Sequence, residues 1–285
     1  MQRAANLPAA AVVLSQLQRL LQDRNTALEE VCDLLKRDMS LTARILQLSN
    51  SSYFAPGIPI ASLEEAVGFV GYDEIYRIAG LVVGMQMTQR DLRMYGCSAG
   101  HLWENTLCGA FAMESLAQFA GVNPRLAYTA GLMRSMGKVV LERLGAEAAG
   151  TQRHFDPQCD LSLGEWEQET FGCDSPAAGA LLLEEWNFPP EIFEAVRHHA
   201  NPEESGMEMA YIPLLNLAAC MAEELGHPLP GEQPYWRRKD ARLASAGLSG
   251  ADMTLCQAET QLSLDRLKEA FSGRSADRNP HAMTR

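Results

Sequence analysis

A hydroxyl residue followed three positions later by a carboxylate, just ahead of an apolar run, recurs along the chain, as in Thr26 with Glu29, Ser62 with Glu65, Ser162 with Glu165 and Ser249 with Asp252. This is the capping-box spacing, in which hydroxyl and carboxylate satisfy amide hydrogens that the first turn of a helix leaves orphaned. Four helix starts of this kind leave little room for a sheet. No segment alternates apolar and polar residues over strand length, and no Asn-Gly or Asp-Gly pair marks a hairpin turn. The chain therefore reads as all-α.

Apolar periodicity places helices at about 8–22, 27–37, 41–50, 63–70, 73–90, 99–120, 124–145, 162–172, 176–187, 189–200, 208–225 and 250–271. The pattern weakens at "RDLRMYGCSA" (90–99), which predicts a junction between an N-terminal helical lobe over 1–95 and a second lobe with the C-terminal helix over 96–272. Three prolines and a glycine make 227–236 ("HPLPGEQPYW") a loop. The end, 273–285, has almost no apolar residues and reads as a disordered tail.

With 285 residues, 47% of them hydrophobic and 21% charged, the chain can bury a substantial core. Its 24 basic and 36 acidic residues give a formal charge of −12, which repels a phosphate backbone; Arg237, Arg238 and Lys239 are the one short basic run. Nucleic acid is not an expected partner, and only a small basic pocket is left open. The seven cysteines are never closer than eleven positions (Cys97 to Cys108), so neither a metal clip nor a disulfide framework is suggested. A reducing compartment fits this usage. The longest smooth apolar stretch, "IAGLVVGMQM" (78–87), is about half a membrane span, and the N-terminus lacks the features of a secretory signal. The expectation is a cytoplasmic protein without a membrane partner.

The order and spacing of "DMSLTARILQLSNSSYFAP" (38–56), "IASLEEAVGFVGYDEIYRIAG" (60–80), "LW" (102–103), "AGLMRSMGKVVL" (130–141), "ETFGCDSPAAGALLLEEWNFPPEIFEAVRHHANP" (169–202) and "LLNLAACMAEELG" (214–226) resemble the HDOD family, bacterial all-helical signalling domains related to HD phosphohydrolases. The resemblance spans roughly residues 7–226 and implies an N-terminal helical bundle packed on a smaller HD-like lobe. The residues alone give a plainer account of the first motif. Asp38 suits a helix cap, Leu41, Ile45 and Leu48 share one face, and Asn50 suits a turn-holder, with Tyr53 and Phe54 in the core.

Catalytic HD enzymes hold a divalent metal through a histidine, an adjacent His-Asp pair and a later aspartate, all lone-pair donors that let the ion activate water. Carried onto this chain, the resemblance puts Asn105 at the first histidine, Arg134 and Ser135 at the His-Asp pair, Ser175 at a further histidine and Ala219 at the late aspartate. A guanidinium has no lone pair to give and stays charged, so Arg134 repels the ion that such a site needs. Arg134 then either pairs with a carboxylate such as Asp174 or receives the phosphate of a nucleotide ligand. His198 and His199 are adjacent on a helix and point about 100° apart, which does not favour one shared ion. His101 and His154 are isolated; Met85, Met87, Met133 and Met136 suit core packing, and Cys173 an inert thiol.

The leading expectation is a non-catalytic signalling module without metal or cofactor. The resemblance implies signalling partners with receiver, diguanylate cyclase or phosphodiesterase domains, and candidate ligand contacts at Asn105, Arg134, Ser135, Asp174, His198 and His199. The opposing expectation is a divergent metal-dependent phosphohydrolase or cyclic-nucleotide phosphodiesterase built around His198 and His199. A third is a nucleotide sensor that binds without hydrolysis.

Overall fold

Helix starts are fixed where a side-chain oxygen accepts an N–H of the first turn. In the computed structural model, which describes residues 10–51, 54–147, 153–158, 160–236 and 239–272, Asp38, Ser62, Ser98, Asn123, Ser162 and Asp174 each do this. Ser162 with Glu165 and Ser249 with Asp252 close the full reciprocal box, the serine N–H reaching the carboxylate at 2.8 Å in both. At Thr26 the expectation fails by one residue. Ala27 is the cap and donates its N–H to Glu30 at 3.0 Å, while the Thr26 hydroxyl turns back to the Asp23 carbonyl at 2.9 Å.

The described residues form α1 (Ala10–Leu20), α2 (Leu28–Leu35), α3 (Met39–Ser49), α4 (Leu63–Val70), α5 (Tyr72–Met87), α6 (Ala99–Phe119), α7 (Pro124–Met133), α8 (Met136–Glu147), α9 (Leu163–Phe171), α10 (Ser175–Glu185), α11 (Pro190–His198), α12 (Tyr211–Glu224), α13 (Lys239–Ser245) and α14 (Gly250–Ser272). Among them there is no strand, only an isolated bridge between Leu92 and Cys97. The fold is all-α. Helix α13 has no counterpart in the periodicity reading, since its seven residues are too short for a repeat to register. Tyr53, Cys159 and the proposed tail over 273–285 lie outside the described residues, as do Arg237 and Arg238.

Helix α6 is the hub, packing on α7, α12 and α14, while α5 carries the N-terminal helices onto α7. Buried apolar residues form one connected core from Ala10 in α1 to Leu267 in α14. Ser15 of α1 reaches across to the carbonyls of Trp186 and Asn187 at 2.9 and 3.0 Å. Between α5 and α6 the chain makes the tight turn Arg93–Tyr95, closed by Leu92 N–H donating to the Cys97 carbonyl at 2.8 Å. Asn50 is the turn-holder expected of it: its amide donates to the Ile60 carbonyl and accepts the Ile60 N–H, both at 2.8 Å.

The helix expected over 124–145 is two helices, broken at Arg134 and Ser135. Two backbone approaches on opposite sides of the break account for this. A Cβ on Gly131 would lie 2.4 Å from the Gly109 carbonyl of α6, and one on Gly137 would lie 1.7 Å from the Ser175 carbonyl of α10. Each glycine lets α7 or α8 touch a different partner, and the chain changes direction between them. That break carries the site.

Candidate functional site

At the end of α7 the Arg134 side chain is 3% exposed, so its charge has to be answered by protein groups. Its Nη1 donates to Glu232 Oε2 at 2.8 Å and its Nη2 to Asn105 Oδ1 at 2.6 Å. One turn further on, Lys138 of α8 donates to Glu232 Oε1 at 2.7 Å and to Ser175 Oγ at 3.3 Å. Glu232 thus sits between two buried cations, one on each carboxylate oxygen. Burial alone would raise its pKa, but the Arg134 and Lys138 charges overturn that and hold it at about 2.

A second buried carboxylate backs the first. Glu167 of α9 accepts the Tyr95 hydroxyl at 3.0 Å and the Ser175 N–H at 2.7 Å. Burial raises its pKa despite the pull of Lys138. The Lys138 ammonium also faces the Tyr95 ring, 5.9 Å from its centroid. Asn105 completes the frame from α6 by donating to the His227 carbonyl at 2.6 Å, which fixes the near end of the loop that carries Glu232.

That loop is shaped for the task. Gly231 has φ +80, and a Cβ there would meet the Phe155 ring at 2.6 Å, so only glycine brings the chain round beside Phe155 and points Glu232 inward. Leu229 and Tyr235 pack on the core at either side.

The positions matched to HD metal ligands are therefore brought together in part. Asn105 and Arg134 touch, and Ser175 joins them through Lys138 and Glu232. Ser135 is buried beside Arg134, and its hydroxyl has no hydrogen-bond partner among the described residues. Ala219 lies on α12, packed with Cys220 and Tyr235.

Asp174 is a correction. The expected ion pair with Arg134 is replaced by Glu232, because the Asp174 carboxylate caps α10, accepting the Ala177 N–H at 2.8 Å. The two histidines also part company. His199 is fully buried, bonded through Nδ1 to the Val196 carbonyl at 2.8 Å, and burial followed by the Arg134 charge lowers its pKa to about 3. His198 points outward to Glu194, 3.4 Å away. They do not converge on one ion.

A divalent cation finds no suitable donor set at the break. Among the described residues there, the Asn105 amide already accepts from Arg134 and Glu232 holds a cation on each oxygen, so no unengaged anionic oxygen is left to balance an ion's charge. Glu232 and Lys138 are the members of this cluster that sequence reasoning missed. Lys138 lies within "AGLMRSMGKVVL", four positions after Arg134 and past the helix break. Glu232 is the one carboxylate in the proline-rich loop, and that was its only signal.

A family model for the HDOD domain matches residues 7–202. An uncharacterized protein of Treponema pallidum (strain Nichols) is 25% identical over 240 residues, covering 82% of this chain and 44% of its own length. The chain thus spans less than half the length of that relative. Among solved structures, an HDOD domain protein with unknown function from Geobacter sulfurreducens is 22% identical with a TM-score of 0.67, covering 93% of this chain and 92% of that one. A protein provisionally named for signal transduction from Marinobacter aquaeolei VT8 is 23% identical with a TM-score of 0.68, covering 94% and 58%. One provisionally named a phosphohydrolase from Shewanella amazonensis SB2B is 19% identical with a TM-score of 0.64, covering 93% of each. These likenesses speak for the fold, and the family match over most of the chain for its membership: the protein belongs to the HDOD domain family.

Proposed function

We propose that this HDOD chain is a non-catalytic regulatory module of signal transduction that works through contacts with other signalling proteins. One observation carries the reading: Arg134, which stands at a position matched to an HD metal ligand, is locked with Lys138 and Glu232 in a buried ion network that also engages Asn105 and Ser175, two further matched positions. Positive charge there is supplied by two side chains and offset only in part by the one carboxylate they share, so a metal that would activate water meets repulsion. On this reading the lobes 1–95 and 96–272 are a scaffold, and partners with receiver, diguanylate cyclase or phosphodiesterase domains engage its outer surface. Among the described residues no helix is long and apolar enough to cross a membrane.

The test is metal content and turnover on one preparation. Purified protein incubated with Mn2+, Fe2+ or Zn2+ and desalted is expected to retain less than stoichiometric metal and to leave bis(p-nitrophenyl) phosphate and cyclic dinucleotides intact. Stoichiometric metal with turnover abolished by His198→Ala would establish the competing phosphohydrolase reading. The outward His198 and the buried His199 do not converge on one ion, which weighs against that outcome.

A further inference from the structure

Helix α14 has two faces of different kinds. Met253, Cys256, Thr260, Leu264 and Leu267 are buried on the side where the helix packs on α6. On the outer side Ala251, Leu255, Ala258 and Leu262 recur at spacings of four, three and four, the heptad pattern of a helix that packs against another helix. All four are exposed, the leucines to 55% and 50%. A half-exposed leucine is ordinary when it stands alone, but two of them one heptad apart, with alanine between, make a stripe along the helix. The helix begins at Gly250, beyond residue 202 where the match to the HDOD family model ends, so the stripe lies outside the matched stretch.

The stripe is complementary to itself. A two-fold axis midway along it turns a second copy of the helix antiparallel, setting Leu255 against Ala258 of the other copy and Leu262 against that copy's Ala251. Each leucine then faces a small residue, which lets the two helices approach and interdigitate. Other arrangements do worse. Sliding the antiparallel pair by one heptad sets Leu255 against Asp265, and a parallel pair in register brings Asp265 and Glu269 face to face with themselves. The two-fold overlap over 251–262 stops short of both carboxylates.

We infer that the outer face of α14 docks a second copy of this chain, through an antiparallel pair of α14 helices related by a two-fold axis. Two heptads make a small contact, at the low end of interface sizes, so the dimer is reversible and concentration-dependent. Its flank gives it a signature. Asp252 and Glu259 lie seven positions apart on one side of the stripe, where Asp252 accepts the Ser249 N–H at 2.8 Å and Glu259 the Ser115 hydroxyl at 2.5 Å. In the antiparallel pair Asp252 of each copy falls beside Glu259 of the other. Like charges there oppose the apolar contact, so added salt tightens this pair, the reverse of docking onto a basic partner. The inference is independent of whether the α7–α8 break binds a metal.

Analytical ultracentrifugation of the full chain over a range of concentrations reads the association. Wild-type protein is expected to show a monomer–dimer equilibrium with a Kd on the order of 10–100 µM, falling severalfold from about 50 to about 500 mM NaCl. Leu255→Glu and Leu262→Glu, with circular dichroism confirming the fold, should each raise Kd more than about tenfold, because they bury a charge in the contact. Met39→Glu, at an exposed methionine of α3, should change nothing. Ala258→Leu separates the paired stripe from a merely sticky patch. It sets leucine against leucine and should weaken the dimer, whereas a patch would gain from the added apolar surface. A chain that stays monomeric up to about 1 mM, an affinity untouched by Leu255→Glu, a tighter dimer in Ala258→Leu or one loosened by salt would overturn the inference.

Discussion

Removing the Glu232 carboxylate strands two buried cations at once, which makes Glu232→Gln the most informative single change. Glu232 and the side chains of Arg134 and Lys138 are all less than a tenth exposed, so solvent cannot take over their charges. Breaking a buried pair by deleting one partner costs about 3–5 kcal/mol, and here one carboxylate serves two partners, which points to the upper end. Glutamine keeps one acceptor oxygen but turns an amide donor toward a cation, so little is recovered. For a chain of this length each kcal/mol lowers Tm by roughly 2–4 °C, giving a fall on the order of 10 °C or more in differential scanning calorimetry. The complementary variant replaces all three groups, with Arg134→Met, Lys138→Met and Glu232→Leu together. Apolar replacement of a buried ion cluster is often neutral or stabilising, and although the triple variant also takes the Lys138 charge away from Glu167, it should melt above Glu232→Gln. A Glu232→Gln protein that melts at the wild-type temperature would refute the reasoning, because the cations would then be solvated or paired elsewhere.

Further predictions follow from the same geometry. Glu232 has a folded pKa of about 2, below its ordinary value near 4.5, so its contribution is complete above pH 4.5 and is lost as pH falls toward 2. His199, lowered from 6.5 to about 3, has the same sign: stability is lost as pH falls from 6.5 toward 3, and His199→Asn should flatten the upper part of that acid limb in urea titrations from pH 7 to 4. Gly137→Ala forces a Cβ to within 1.7 Å of the Ser175 carbonyl between α8 and α10; it should cost more than about 3 kcal/mol or abolish soluble expression, whereas Gly100→Ala, with open space around it, should cost little. Tyr95→Phe deletes one of the two hydrogen bonds to buried Glu167 and should cost about 1–3 kcal/mol, read as a shift in the urea midpoint.

Local signals in the sequence were sufficient for the architecture. Capping boxes and apolar periodicity are short-range features, and the helices they marked are present at nearly the expected bounds. Ser162 with Glu165 is an example, its box closed in both directions. Where local rules compete, the reading slipped: Thr26 has the right spacing, but its hydroxyl donates back to the Leu20 and Asp23 carbonyls. The break at Arg134 was hidden for a related reason. Apolar periodicity runs on through Met133 and Met136, and only the glycines on either side betray that two different backbones crowd the helix there.

The site was legible in its chemistry and not in its partners. A buried arginine demands a carboxylate, but sequence proximity suggested Asp174, which is consumed as a helix cap. The actual partner, Glu232, is 98 positions away from Arg134 and reaches it only because Gly231 and the Asn105 bond to the His227 carbonyl shape the loop. Pairing over such a distance depends on how α6, α8 and α12 pack, which no short window encodes.

Anomalous diffraction from crystals grown with excess Mn2+ would examine the α7–α8 break most directly. The account predicts no anomalous peak beside the Arg134 guanidinium, which stays bonded to Glu232 and Asn105. A peak ligated by Glu232, with Arg134 swung out of the cluster, would contradict it.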